Sequence, residues 1–140
     1  MSFTVVPYPT LNARQKELRN FHKIAARLAD YGFHSMWLND DWQGADFLAV
    51  HIDGTTVLRV QLKARMVLDR KYLGKGLHIA FRKEDRIFVY PHDELAAFVD
   101  AHGLIGKDAQ RYHEHGLRHW PGLPGWAEGF LARYELEGAP

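Results

Sequence analysis

Two strand-like runs separated by Asp53-Gly54 constrain this chain more than anything else in it. "DFLAVHI" (residues 46–52) precedes the dipeptide, and "VLRVQLKAR" (residues 57–65) follows it. Asp-Gly between alternating runs is a strong hairpin signal. A two-residue turn at 53 and 54 pairs Ile52 with Thr55, His51 with Thr56 and Val50 with Val57, and so on until Asp46 faces Gln61. Strand side chains alternate between faces. Leu58, Val60 and Leu62 therefore point to a core, while Arg59, Gln61, Lys63 and Arg65 line the other surface. Opposed residues on a shared face have Cβ atoms about 4.5–5.5 Å apart. A carboxylate, an amide and an ammonium thus converge at the open end of the hairpin, and a one-residue slip would turn Asp46 away.

The surrounding sequence supplies layers for this hairpin. Asn12 with Gln15 is a capping-box pair, and Leu18, Phe21, Ala25 and Leu28 follow at helical spacing towards a stop at Gly32. Residues 33–38 read as a strand and 39–44 as a polar loop. Residues 77–82 and 86–90 read as two further strands turned around 83–85. Pro91 ends the sheet region, and residues 92–103 form a helix with early acids and a Gly stop. A last helix over 124–134 offers Trp126, Phe130 and Tyr134 to the core. The order α-β-β-β-β-β-α-α defines an α/β or α+β layered fold. No repeat or long linker divides the chain, so residues 1–140 are expected to form a single domain.

Composition excludes several classes. Apolar content of 46% with 25% charged residues fits a globular chain rather than wholesale disorder. The absence of cysteine removes disulfide and thiolate chemistry and fits a reducing compartment, with the cytoplasm the expected location. No run approaches the roughly 18 apolar residues of a membrane span, and the start has no secretory-signal pattern. Net charge is only +1, but between Arg59 and Lys83 Asp69 is the single acid among eight Lys and Arg residues. Such a segment attracts a polyanion or guards a solvated strand edge.

Asp46, Gln61 and Lys63 suit metal-assisted cleavage of a phosphodiester. Mg²⁺, or Mn²⁺ in its place, takes a few hard oxygen ligands and fills its shell with waters and phosphate oxygens. Asp46 would supply the anionic ligand, and Gln61 and the Leu62 carbonyl neutral ones. Lys63 would orient a water or offset charge on the phosphate. The bland reading of the same residues is a polar outer face on an antiparallel hairpin.

The stretch "GADFLAVHIDGTTVLRVQLKAR" (residues 44–65) resembles the motif of the PD-(D/E)XK nuclease superfamily in its Q-x-K form, and "KELRNFHKIAARLADYG" (residues 16–32) resembles that family's opening helix. The resemblance spans residues 12–92 and leaves 93–140 as a helical extension. It implies a restriction-endonuclease-like core with a central mixed sheet of about four or five strands. It also implies an Mg²⁺-dependent endonuclease acting on DNA ahead of RNA, and a homodimer. Asp46 and Gln61 match its metal ligands and Lys63 its catalytic lysine. Glu17 matches the helix acid, with Asp41 as a rival. Two positions depart from the pattern: Ala45 replaces the Pro, and neutral Gln61 replaces an acid, which removes a negative charge from the site. Arg59, Arg65, Arg70, Lys71 and Lys75, placed around and after the motif, become candidate phosphate contacts, with Trp42 a candidate for base stacking.

Rival readings stay open. The same fold can serve as a catalytically silent nucleic-acid-binding or protein-interaction module. In "YHEHGLRHW" (residues 112–120), His113, His115 and His119 invite a zinc reading. Gly116 and Pro121 interrupt a regular helix there, and a surface or loop role fits them better.

Overall fold

The first helix starts where its cap places it. Asn12 Oδ1 accepts the Gln15 N–H at 2.8 Å, and the Asn12 N–H reaches the Gln15 side chain at 3.0 Å. The computed structural model describes residues 1–140, the side chain of residue 107 apart. In it α1 spans Ala13–Ala29 and buries Phe21, Ile24 and Leu28 along one face. The chain then reverses at Gly32, whose φ of +85° suits glycine. A Cβ there would lie 2.8 Å from His51 Nε2.

Strands β1 (Phe33–Trp42), β2 (Ala45–His51) and β3 (Val57–Leu62) form an antiparallel meander. The β2–β3 register runs from Val50↔Val57 to Phe47↔Val60, as the Asp-Gly turn dictates. The reversal is wider than two residues: the His51 N–H meets Thr56 O at 2.9 Å and the Gly54 N–H meets His51 O at 3.1 Å, so residues 52–55 make the loop. Register survives because the wider loop has the same centre. Asp53 holds it, accepting the Thr56 hydroxyl at 2.6 Å and the N–H groups of Thr56 and Thr55 at 2.8 Å each. These bonds keep its carboxyl well below the usual carboxylate range.

Residues 39–44 are not the polar loop their composition suggests. β1 continues to Trp42 and turns through Gln43 and Gly44, at φ 53° and 90°. Between the pairs Trp37↔Phe47 and Trp42↔Ala45 the register jumps, so residues 38–41 bulge opposite Asp46. A Cβ at Gly44 would lie 2.7 Å from Leu77 Cδ1, so a side chain there would displace Leu77 as well as strain the backbone.

The remaining elements are β4 (Met66–Asp69), β5 (Leu77–Lys83), β6 (Arg86–Pro91), α2 (His92–His102), α3 (Ala109–His115), β7 (Leu117–Trp120), α4 (Gly125–Leu131) and β8 (Glu135–Leu136). The main sheet is mixed, in the order β1-β2-β3-β5-β6-β8, with β3 and β5 parallel and β4–β7 a separate ribbon. The architecture is the mixed α+β sheet flanked by helices that was expected, with six strands rather than four or five. The expected element order omits β4, α3, β7 and β8.

The sheet is covered on both faces. Phe21, Ile24 and Leu28 pack on Phe47, Val60, Leu62 and Ala80. On the other side Tyr72, Ile79, Phe88, Tyr90, Leu95 and Phe130 share a second cluster. The polar face of β3 is therefore not a solvated surface at Gln61, which is 9% exposed. Among the described residues no helix is long and apolar enough to cross a membrane.

Tyr90 ties the ribbon to the sheet. Its buried hydroxyl accepts the Val67 N–H at 2.9 Å and donates to the Val67 carbonyl at 2.6 Å. Tyr90→Phe strands both backbone groups, and the expected loss is about 1–3 kcal/mol. It is measured as a lower urea midpoint with an unchanged m-value.

Candidate active site

Asp46 stands where the β2–β3 ladder ends. Its Oδ2 accepts the Leu62 N–H at 2.9 Å, so a side chain continues the pairing beyond Phe47↔Val60. Burial pushes the Asp46 carboxyl above the ordinary carboxylate range. The Leu62 N–H opposes that shift, Glu17 and Asp41 add to it, and Lys63 counters it. An acid held this way favours a bound proton or a cation.

Continuing the register places Gln61 opposite Asp46 on the face turned towards Tyr72 and the second cluster. Its Nε2 donates weakly to Leu62 O at 3.5 Å, while its Oε1 is buried and has no partner. A buried acceptor left unpaired is destabilising in itself, a condition this oxygen shares with Ser35 Oγ and His78 Nδ1. Lys63 follows beyond the strand end, its N–H bonded to Ala80 O at 2.9 Å. Its ammonium lies 5.4 Å from the centre of the Tyr72 ring, within cation–π range. Lys71 Nζ lies 5.2 Å from the same ring. Burial raises the Tyr72 hydroxyl, with Lys71 opposing and Asp69, Asp46 and Asp41 reinforcing.

The other expected residues divide. Glu17 lies within electrostatic range of Asp46, yet its carboxylate is paired with Arg14 at 2.6 Å. Asp41 also reaches Asp46 electrostatically while its Oδ1 accepts the Gly44 N–H at 2.8 Å. Arg59 contacts Gln43 Oε1 at 3.3 Å and lies 5.8 Å from the ring of Trp42, which is 49% exposed. Arg65 meets His119 Nδ1 at 3.4 Å. Lys71 pairs with Asp69 at 3.7 Å, and Lys75 is exposed in the turn before β5. Arg70 is exposed, and its guanidinium donates to the carbonyls of Tyr112 at 2.6 Å and His113 at 2.8 Å, in the last turn of α3. His113, His115 and His119 are exposed.

Tyr72 is the residue the sequence reading missed. It is 4% exposed and packs edge-on to buried His92 at 5.6 Å, and His92 Nε2 in turn accepts the Asp69 N–H at 3.0 Å. No periodicity flags it, because it lies in a one-turn 3-10 segment (Arg70–Tyr72).

Among the described residues no three His, Cys, Asp or Glu side chains gather as a metal site. A cation here would rest on one carboxylate and neutral oxygens: Asp46, the unpartnered Gln61 Oε1 and the Leu62 carbonyl. That set fits Mg²⁺, which needs few protein ligands and keeps waters. Beside it a cleft of about 270 Å³ opens between the first turns of α1 and the end of β3, lined by Glu17, Leu62 and Lys63 among others. A larger cleft, about 480 Å³, lies by α3 and β7 and includes none of the three central residues.

No family model matches the chain, and no curated protein does. Among solved structures the chain is similar to Hjc, a Holliday junction resolvase of the archaeal hyperthermophile Archaeoglobus fulgidus. The identity is 14% and the TM-score 0.44, over 56% of this chain and 74% of that one.

The raised Asp46 carboxyl has a signed consequence. The folded chain holds that proton more tightly than the unfolded chain, so stability drawn from this group falls as pH rises through the interval between their values. Asp46→Asn keeps an acceptor for the Leu62 N–H and removes the buried charge. In chelator at neutral pH it raises the melting temperature relative to the parent, and the advantage vanishes towards acid pH. Thermal scans across pH check this, and an unchanged or lower melting temperature at neutral pH contradicts it.

Proposed function

We propose that the protein is an Mg²⁺-dependent endonuclease that hydrolyses phosphodiester bonds in DNA, with Asp46, Gln61 and Lys63 as its reaction centre. The observation that carries this reading is the buried, partnerless Gln61 Oε1 set opposite Asp46, with the Lys63 ammonium beyond the strand end. A hairpin with an idle polar face would leave these groups to water, and this one leaves an amide oxygen under a packed layer.

Asp46, Gln61 Oε1 and the Leu62 carbonyl would hold the cation. When bound it supplies neutralisation of phosphate charge and acidifies nearby water. Asp46 is oriented by the Leu62 N–H, which occupies one carboxylate oxygen and leaves the other available. Lys63, steadied on the Tyr72 ring, offsets negative charge as the phosphodiester opens. The backbone N–H of Lys63 is fixed to β5, so the root of that side chain cannot drift.

Plasmid nicking with Mg²⁺ tests the assignment. Lys63→Ala and Asp46→Ala each lower the rate by about 10²-fold or more. Gln61→Leu abolishes Mn²⁺ binding by calorimetry, and Gln61→Glu, which adds a negative charge among the donors, strengthens it. Equal nicking by the parent and both alanine variants removes the proposed centre.

A further inference from the structure

The cleft beside Lys63 holds Lys16, and Arg82 lies next to it on the Tyr8 ring; the reaction centre uses neither cation. Tyr8, held in a one-turn 3-10 segment (Tyr8–Thr10), faces both: Lys16 Nζ lies 5.4 Å and Arg82 Cζ 5.3 Å from its ring centre. Asn20 closes the arrangement. Its Nδ2 donates to the Tyr8 hydroxyl at 3.0 Å, and its Oδ1 accepts from Arg82 Nε at 3.0 Å. The segment before Tyr8 is tied down by Arg19, which donates to Val6 O at 2.9 Å. Tyr8, Lys16, Asn20 and Lys63 line one concavity with Glu17 and Leu62.

Charge balance points to a ligand. Arg14, Arg86, Arg118 and Arg133 all pair with acids, whereas Lys16, Lys63 and Arg82 take part in no ion pair among the described residues. The one acid in the cleft, Glu17, is taken by Arg14. Lys16 and Lys63 line this cleft, and Arg82 stands on the Tyr8 ring beside it, donating also to Glu84 O at 2.7 Å and lining a neighbouring cleft with Asp30, Glu84 and Asp85. Holding them in place beforehand lowers the ordering cost of binding an anion.

We infer that this cleft binds the backbone phosphate adjacent to the scissile one, so that the DNA strand leaves the reaction centre along the N-terminal end of α1, over Lys63, Lys16 and Arg82. The inference rests on the DNA-cleaving reading above and adds the direction in which the substrate runs. Tyr8 acts as a positioning residue, and its ring serves the two cations rather than a stacked base.

The test is fluorescence anisotropy of an end-labelled DNA duplex with the full chain, in chelator, over a salt series. Lys16→Gln and Arg82→Gln each weaken binding by about three- to tenfold and make the salt slope shallower by about one unit per cation removed. Arg82→Lys keeps the charge and stays near the parent, which separates charge from packing. Tyr8→Leu weakens binding as the single-charge variants do, and Tyr8→Phe does so far less. Arg111→Gln, in the α3–β7 cleft, which shares no lining residue with this one, leaves affinity unchanged. A double Lys16→Gln/Arg82→Gln variant that binds like the parent overturns this inference alone, as does an Arg111→Gln loss of equal size. A parent protein that retains no DNA at low salt overturns both this inference and the DNA-cleaving reading.

Discussion

Three hydrogen bonds to the Asp53 carboxylate fix the relation between β2 and β3, and the rest of the molecule is arranged around that relation. Side-chain period in a strand is two, so a register error of one residue would exchange every inward group for an outward one. Phe47 and Val60 would then leave the α1 layer, and Asp46 would enter it. The loop residues are exposed, yet their geometry decides which side chains of the two central strands are buried.

Coverage of both sheet faces gives the register its chemical consequence. An antiparallel hairpin often keeps one face in water, and there Gln61 would hydrate and Asp46 would titrate normally. Here Tyr72 and the second cluster close that face. Burial raises Asp46, leaves Gln61 Oε1 without a partner and places Lys63 against an aromatic ring. Each effect follows from replacing water with packed carbon.

Legibility in the sequence followed the range of the interactions. The Asn12–Gln15 box, the Asp53-Gly54 reversal, the strand pair turned near 84 and the α2 helix depend on neighbours within a few residues, and all could be read. β1 could not be read past Leu38, because its polar end is held by pairing to β2 and by the Gln43-Gly44 turn rather than by alternation. β4 and β7 are four residues each and exist through one another, the Tyr90 hydroxyl and the packing of Trp120. At the site, Asp46 and Lys63 could be placed from spacing. The burial of Gln61 and the role of Tyr72 could not, since both depend on a layer contributed by residues 66–136. Arg70, legible only as one member of a basic run, also donates to the carbonyls at the end of α3, a long-range contact that charge counting does not reveal.

Asp46 ties the candidate site to the strand ladder more closely than Gln61 or Lys63 does. One of its oxygens completes the ladder by taking the Leu62 N–H, the task a backbone carbonyl performs elsewhere in the strand pair. The bulge of residues 38–41 supplies no regular β1 partner at that point, so the second oxygen is not drawn into the sheet. A carboxylate with one oxygen committed to structure keeps its orientation before any ligand arrives. The same commitment means that the site cannot be shifted along the strand by small sequence changes. It is set by where the bulge begins and where β3 stops pairing with β2, and those two points meet only at residue 46.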